Sequence, residues 1–186
     1  MIFPEKLKIG DTIGICAPSD GITEPKKIQK LNKAIQNLKD MGYKVLETKS
    51  VRKSEIGRSN TAKERAKEFM ELWENEDVKL ILYAGGGDFL MEMLEKINFS
   101  ELKNSKPKWT QGFSDITHLS FLLNTICDMP SIYCENIKEY AMKPLCNNLK
   151  DSLKIMSGED VIQHSFEKYV DINDDENEDY TYNLTK

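Results

Sequence analysis

No stretch of the 186-residue sequence approaches the roughly 18 consecutive apolar residues that a membrane-spanning helix requires. The opening Met1-Ile2-Phe3-Pro4-Glu5-Lys6 lacks a basic segment followed by a long apolar run, so it does not read as a secretory leader. Cysteine is sparse. Cys16, Cys127, Cys134 and Cys146 are irregularly spaced and contain no Cys-x-x-Cys pair, which indicates neither a disulfide framework nor a zinc site. Basic residues are not in excess: 26 Lys and Arg stand against 31 Asp and Glu, a net charge of −5. A protein that grips a nucleic-acid backbone needs the opposite balance. There is no Gly-x-Gly-x-x-Gly and no P-loop, so nucleotide binding is not expected. These absences leave a cytoplasmic protein with reduced thiols, no cofactor, no metal, and neither nucleic acid nor membrane as partner.

What is present is enough apolar material for a core, 39% of residues, arranged as alternating strands and helices. Thr12 to Ala17 is a short apolar run closed by Pro18-Ser19-Asp20-Gly21, a buried strand and its loop. Glu24 to Met41 is an amphipathic helix with Ile28, Leu31, Ile35, Leu38 and Met41 on one face and Gly42 at its end. A strand over 43–46 and a polar loop over 48–60 follow. Thr61-Ala62-Lys63-Glu64 has the form of a capping box, opening a helix that buries Ala62, Ala66, Phe69, Met70 and Trp73. The charged residues of Glu64–Glu76, with Lys63, Arg65 and Lys67, read as its solvated face. Val78–Tyr83 is a strand leading into Gly85-Gly86-Gly87. A helix over 89–96, a strand over 109–113, a helix over 116–126, a strand over 131–133 and a short helix over 149–156 complete the series. The alternation predicts an α/β domain with a mainly parallel sheet flanked by helices. Ligands then bind beyond the carboxyl ends of the strands, at the loops after Ala17, Tyr83 and Phe113.

Ser114 lies between a strand and a helix in Gly112-Phe113-Ser114-Asp115-Ile116-Thr117. A serine at such a junction projects its hydroxyl from a sharp turn, backed by the free N–H groups of a helix start. The same position also suits an ordinary helix cap. Asp115 has two uses as well: its side chain caps the helix, and its N–H is available to an oxyanion. Glycines 85 to 87 either allow N–H groups to approach a charged oxygen or simply make a tight turn. His118 and His164 are the two histidines. His118 is one turn beyond Ser114, whereas a base normally reaches such a serine from another loop. The run Asn173 to Asp179 is acidic and lacks the glycine and spacing of a calcium loop, so it reads as solvated.

Three segments in register resemble the LD-carboxypeptidase family of serine peptidases, which includes muramoyltetrapeptide carboxypeptidases and microcin-C immunity peptidases. They are Leu7 to Ser19, Asp77 to Gly87 with the preceding Arg65-Ala66, and Gly112 to Thr117. The resemblance covers residues 1 to about 140. It implies a flavodoxin-like N-terminal domain over 1–145, with 146–186 as a linker into a C-terminal catalytic domain that is absent from this chain. It also implies a Ser–Glu–His triad with Ser114 as nucleophile and the N–H groups of Gly86 and Asp115 as the oxyanion hole. The glutamate and histidine lie beyond this chain, so the chain alone is expected to be inactive. The implied substrate is a murein tetrapeptide or a microcin-like conjugate. Apolar surface that the missing C-terminal domain would cover is expected to drive self-association into a homodimer or larger species. The pattern departs at Gly87-Asp88-Phe89, where muramoylpeptide enzymes have an aromatic-glycine pair, and at Tyr133 to Asn136, where Gly-Pro is usual. The first departure points toward the microcin-immunity branch. A non-catalytic homologue that keeps the cleft as a peptide or small-molecule binding domain is the alternative.

Overall fold

A computed structural model describes residues 1–166 of the chain. The acidic run at 173–179 lies outside the described residues. Five strands, β1 (Thr12–Cys16), β2 (Lys44–Glu47), β3 (Val78–Tyr83), β4 (Trp109–Gly112) and β5 (Ile132–Tyr133), form one sheet in the order β2-β1-β3-β4-β5. Every pairing is parallel. This is the doubly wound order of flavodoxin-like domains. The chain turns outward in opposite directions from β1 and β3, so the loops after those two strands meet at the carboxyl edge.

Strand β3 shows why its sequence is a continuous apolar run rather than an alternating one. Leu80 and Leu82 face one core and Ile81 and Tyr83 the other, and all four are fully buried. The first core takes α1 (Pro25–Asp40) through Leu31, Ala34 and Leu38. It also takes a 3-10 helix at Ile137–Ala141 and α6 (Asn147–Ser157) through Leu149 and Met156. Packing in this core extends past residue 145 into α6. The second core takes α2 (Ala62–Glu74), the short helices α3 (Met91–Leu94) and α4 (Phe99–Asn104), and α5 (Thr117–Thr125). Among the described residues, no helix is long and apolar enough to cross a membrane.

Several local expectations change. The helix expected over 89–96 is one turn only, and α4, unforeseen, restarts at Asn98, whose side chain accepts from Glu101 N at 3.2 Å. Thr61 caps α2 by accepting from Glu64 N at 3.3 Å, but the other half of the box does not form: the Thr61 N–H goes to Asn60 Oδ1 at 2.8 Å. The charged face of α2 is not wholly solvated. Arg65 is 1% exposed and Glu68 8% exposed. Glu68 accepts from the Ser50 backbone and hydroxyl at 3.2 and 2.7 Å, pinning the loop after β2. Ala62 and Met70, expected in the core, are only partly buried.

Candidate active site

Strand β4 ends at Gly112, and the chain turns through a 3-10 turn, Ser114–Ile116, into α5. Ser114 has φ +69°, in the left-handed region that costs a residue with a Cβ. The turn is paid for by its surroundings. The Phe113 N–H donates to Asn136 Oδ1 at 3.4 Å, and the Thr117 hydroxyl donates to the Ser114 carbonyl at 2.6 Å. Ser114 caps neither the 3-10 turn nor α5, whose flanking residues are Phe113 and Ile116. Its side chain is exposed at the carboxyl edge of the sheet.

Gly86, in the loop after β3, packs directly on this serine. A Cβ at Gly86 would lie 2.7 Å from Ser114 Oγ, 2.8 Å from Ser114 Cβ and 3.4 Å from the Asp115 nitrogen. Only a glycine lets the backbone come this near. The structure thus brings together all three residues singled out in the sequence. An exposed hydroxyl packed against a glycine backbone leaves room for a carbonyl, whose oxygen, negative once it is attacked, is stabilised where backbone N–H groups converge on it.

The Asp115 side chain does something different from the expected helix cap. Its Oδ2 accepts from the hydroxyl of Ser19 and from Leu90 N, the latter at 2.9 Å. Ser19 is fully buried in the loop after β1, and Leu90 follows the loop after β3. One carboxylate therefore ties the three carboxyl-edge loops together. Arg65 ties two of these loops from α2: its Nη1 donates to the carbonyls of Pro18 at 2.8 Å and Phe89 at 2.9 Å, while Nη2 donates to Glu92 at 2.8 Å. Burial pulls the Arg65 guanidinium below its ordinary value, and Glu92 opposes that shift. Arg58 joins the same wall, bonded to Glu92 and stacked 3.4 Å over the Phe89 ring. The roles of Ser19, Arg65 and Asn136 were not assigned from the sequence. Arg65 carried a signal: it stands four residues before Phe69 on the apolar stripe of α2, where an arginine needs buried acceptors.

His118 points to the aspartate rather than the serine, with Nε2 3.5 Å from Asp115 Oδ1. His164 is exposed, beyond α6.

A sequence model of the LD-carboxypeptidase N-terminal domain matches residues 13–134. The Microcin C7 self-immunity protein MccF of Escherichia coli is 34% identical over 113 residues, 61% of this chain and 32% of that protein. A Bacillus subtilis protein named "Probable murein peptide carboxypeptidase" is 31% identical over 116 residues, 62% of this chain and 35% of its own length. Among solved structures, the MccF complex with aspartyl sulfamoyl adenosine superposes with a TM-score of 0.81 at 25% identity, over 92% of this chain and 52% of that one. The matches span about a third of the curated relatives, at 32% and 35%, and about half of the solved chain, at 52%.

Proposed function

This chain belongs to the LD-carboxypeptidase family, and from that premise we propose that it is the nucleophile-bearing part of a serine carboxypeptidase. The observation that carries this reading is the left-handed Ser114 set against Gly86. In the proposed reaction Ser114 Oγ attacks the last peptide carbonyl. The developing oxyanion sits at the N–H groups of Gly86 and Asp115, the C-terminal amino acid leaves with a proton, and water then releases the acyl group. The proton must move through a base. In this reading the glutamate and histidine of the triad come from outside this chain; the 3.5 Å approach of His118 Nε2 to Asp115 Oδ1 supports a base other than His118. The substrate is a murein-type peptide or a microcin-like conjugate, as the names of the relatives suggest. Exposed Phe121 and Ile126 favour self-association as a homodimer in the cytoplasm, which light scattering tests; a strictly monomeric mass counts against the dimer.

The test uses two proteins. The chain alone, given murein tetrapeptide or an aminoacyl sulfamoyl nucleoside, turns over neither. Fused after Ser157 to the C-terminal half of MccF, it gains hydrolysis that Ser114→Ala abolishes. Ser114-dependent release of D-alanine by the chain alone disproves the missing base. A folded, cooperatively melting fusion whose activity survives Ser114→Ala, or that hydrolyses neither substrate, disproves the peptidase reading.

A further inference from the structure

A groove of about 360 Å3 opens between β5 and α6, and its wall includes Phe113, the neighbour of Ser114. Phe113, Tyr133 and Ile155 make it apolar, Asn148 and Ser152 add polar groups from α6, and Glu135 is the one charged residue of the lining. The sheet register places that charge. Gly112 pairs with Tyr133, so Ser114 and Glu135 each stand two residues beyond a paired position on adjacent strands. The two loops are fixed to one another. Gln111 Nε2 donates to the Glu135 carbonyl at 2.8 Å, and Asn136 holds the Phe113 N–H.

The Glu135 carboxylate is half-buried, and among the described residues no hydrogen bond or ion pair reaches it. Burial pushes its carboxyl up from the usual range, and Glu139 adds to that. Lys30, the basic side chain that acts on it, is committed to Glu139 at 2.8 Å. A partly desolvated carboxylate without a partner is unfavourable, and a cation arriving in the groove removes that cost. The flanking rings favour the same occupant. Phe113 is 37% and Tyr133 68% exposed, so ring faces remain open to a cation and its methylenes. An anion would meet Glu135 directly.

The geometry points to this groove as a subsite for an aliphatic ammonium group on the peptide substrate, with Glu135 as counter-ion and Phe113 and Tyr133 against the alkyl stem. This deepens the peptidase reading by naming a substrate feature, and rests on that reading only for the ligand being a peptide.

The test measures binding, not hydrolysis, so it stands whether or not Ser114 proves to be a nucleophile. Nα-acetyl-lysine methylamide and its norleucine counterpart are titrated into the 186-residue chain and followed by amide NMR shifts. The lysine derivative binds about 10-fold tighter, as one charge-assisted contact and a cation–π contact allow. It moves the amides of Tyr133, Glu135 and Ile155. Glu135→Gln brings the two probes to within about 2-fold of one another with the melting transition retained. Tyr133→Ala, at an exposed position, weakens the lysine derivative by about 3-fold and serves where Glu135→Gln disturbs the fold. Equal affinity for the two probes, no saturable binding, or a lysine preference that survives both substitutions overturns the inference.

Discussion

The Ser114 hydroxyl lies 2.7 Å from the point a Gly86 Cβ would occupy, so two loops 28 positions apart share one van der Waals contact that only glycine permits. The contact can be measured without any substrate. Gly86→Ala is expected to destabilise the chain by about 1–3 kcal/mol through overpacking. In a Ser114→Gly background both close atoms are gone, and the cost should fall to well under half. Urea denaturation of the four proteins gives the cycle. An unchanged cost in the double variant would show that the two residues are not in contact.

The backbone at Ser114 makes a separate prediction. In right-handed helix Ala is better than Gly by about 1 kcal/mol. At φ +69° the order reverses, because the penalty falls on the Cβ. Ser114→Gly should therefore be more stable than Ser114→Ala by about 1 kcal/mol. The usual order, Ala above Gly, would place Ser114 in an ordinary helix start.

Asp115→Ala leaves the buried Ser19 hydroxyl and the Leu90 N–H without their acceptor, and should cost about 1–3 kcal/mol. Asp115→Asn keeps one acceptor oxygen and should cost less. Equal melting temperatures for wild type and Asp115→Ala would refute the tie between the three loops.

Lys108 supplies the pH dependence. It is buried at the start of β4, donating to the carbonyls of Asn75 and Val78 at 2.6 Å each, and burial lowers its pKa to about 8. Between about pH 8 and 10.5 the unfolded chain holds a proton here that the folded chain has released, so stability rises with pH in that window. Relative to Lys108→Met, the wild type should gain about 1–3 kcal/mol from pH 8 to 10.5 and nothing further below pH 7. Parallel denaturant titrations read the difference. A difference independent of pH would place the Lys108 pKa near its ordinary value.

The strands and the main helices were legible from periodicity because each is decided by neighbours a few residues away. Apolar runs such as Val78–Tyr83 can satisfy their backbone only as buried strands here, and Gly42, with φ +94°, stops α1 where its apolar stripe ends. The junction holding Ser114 was legible as a position, strand before and helix after. Its conformation was not, because a cap and an elbow have the same local sequence. Arg65 and Glu68 were misread as solvated. Helical spacing identifies a stripe, but the Pro18 and Phe89 carbonyls that accept from Arg65 and the Ser50 hydroxyl that donates to Glu68 lie on other loops.

Local patterns in the chain were enough for the α/β alternation, the family resemblance and the candidacy of Gly86, Ser114 and Asp115. Tertiary structure alone decided that they meet. The order β2-β1-β3-β4-β5 brings the ends of β1, β3 and β4 to one edge. The Asp115 carboxylate then crosses 96 positions to Ser19 and 25 to Leu90. Contacts at such separations depend on how the sheet is assembled, and no local pattern of residues encodes them.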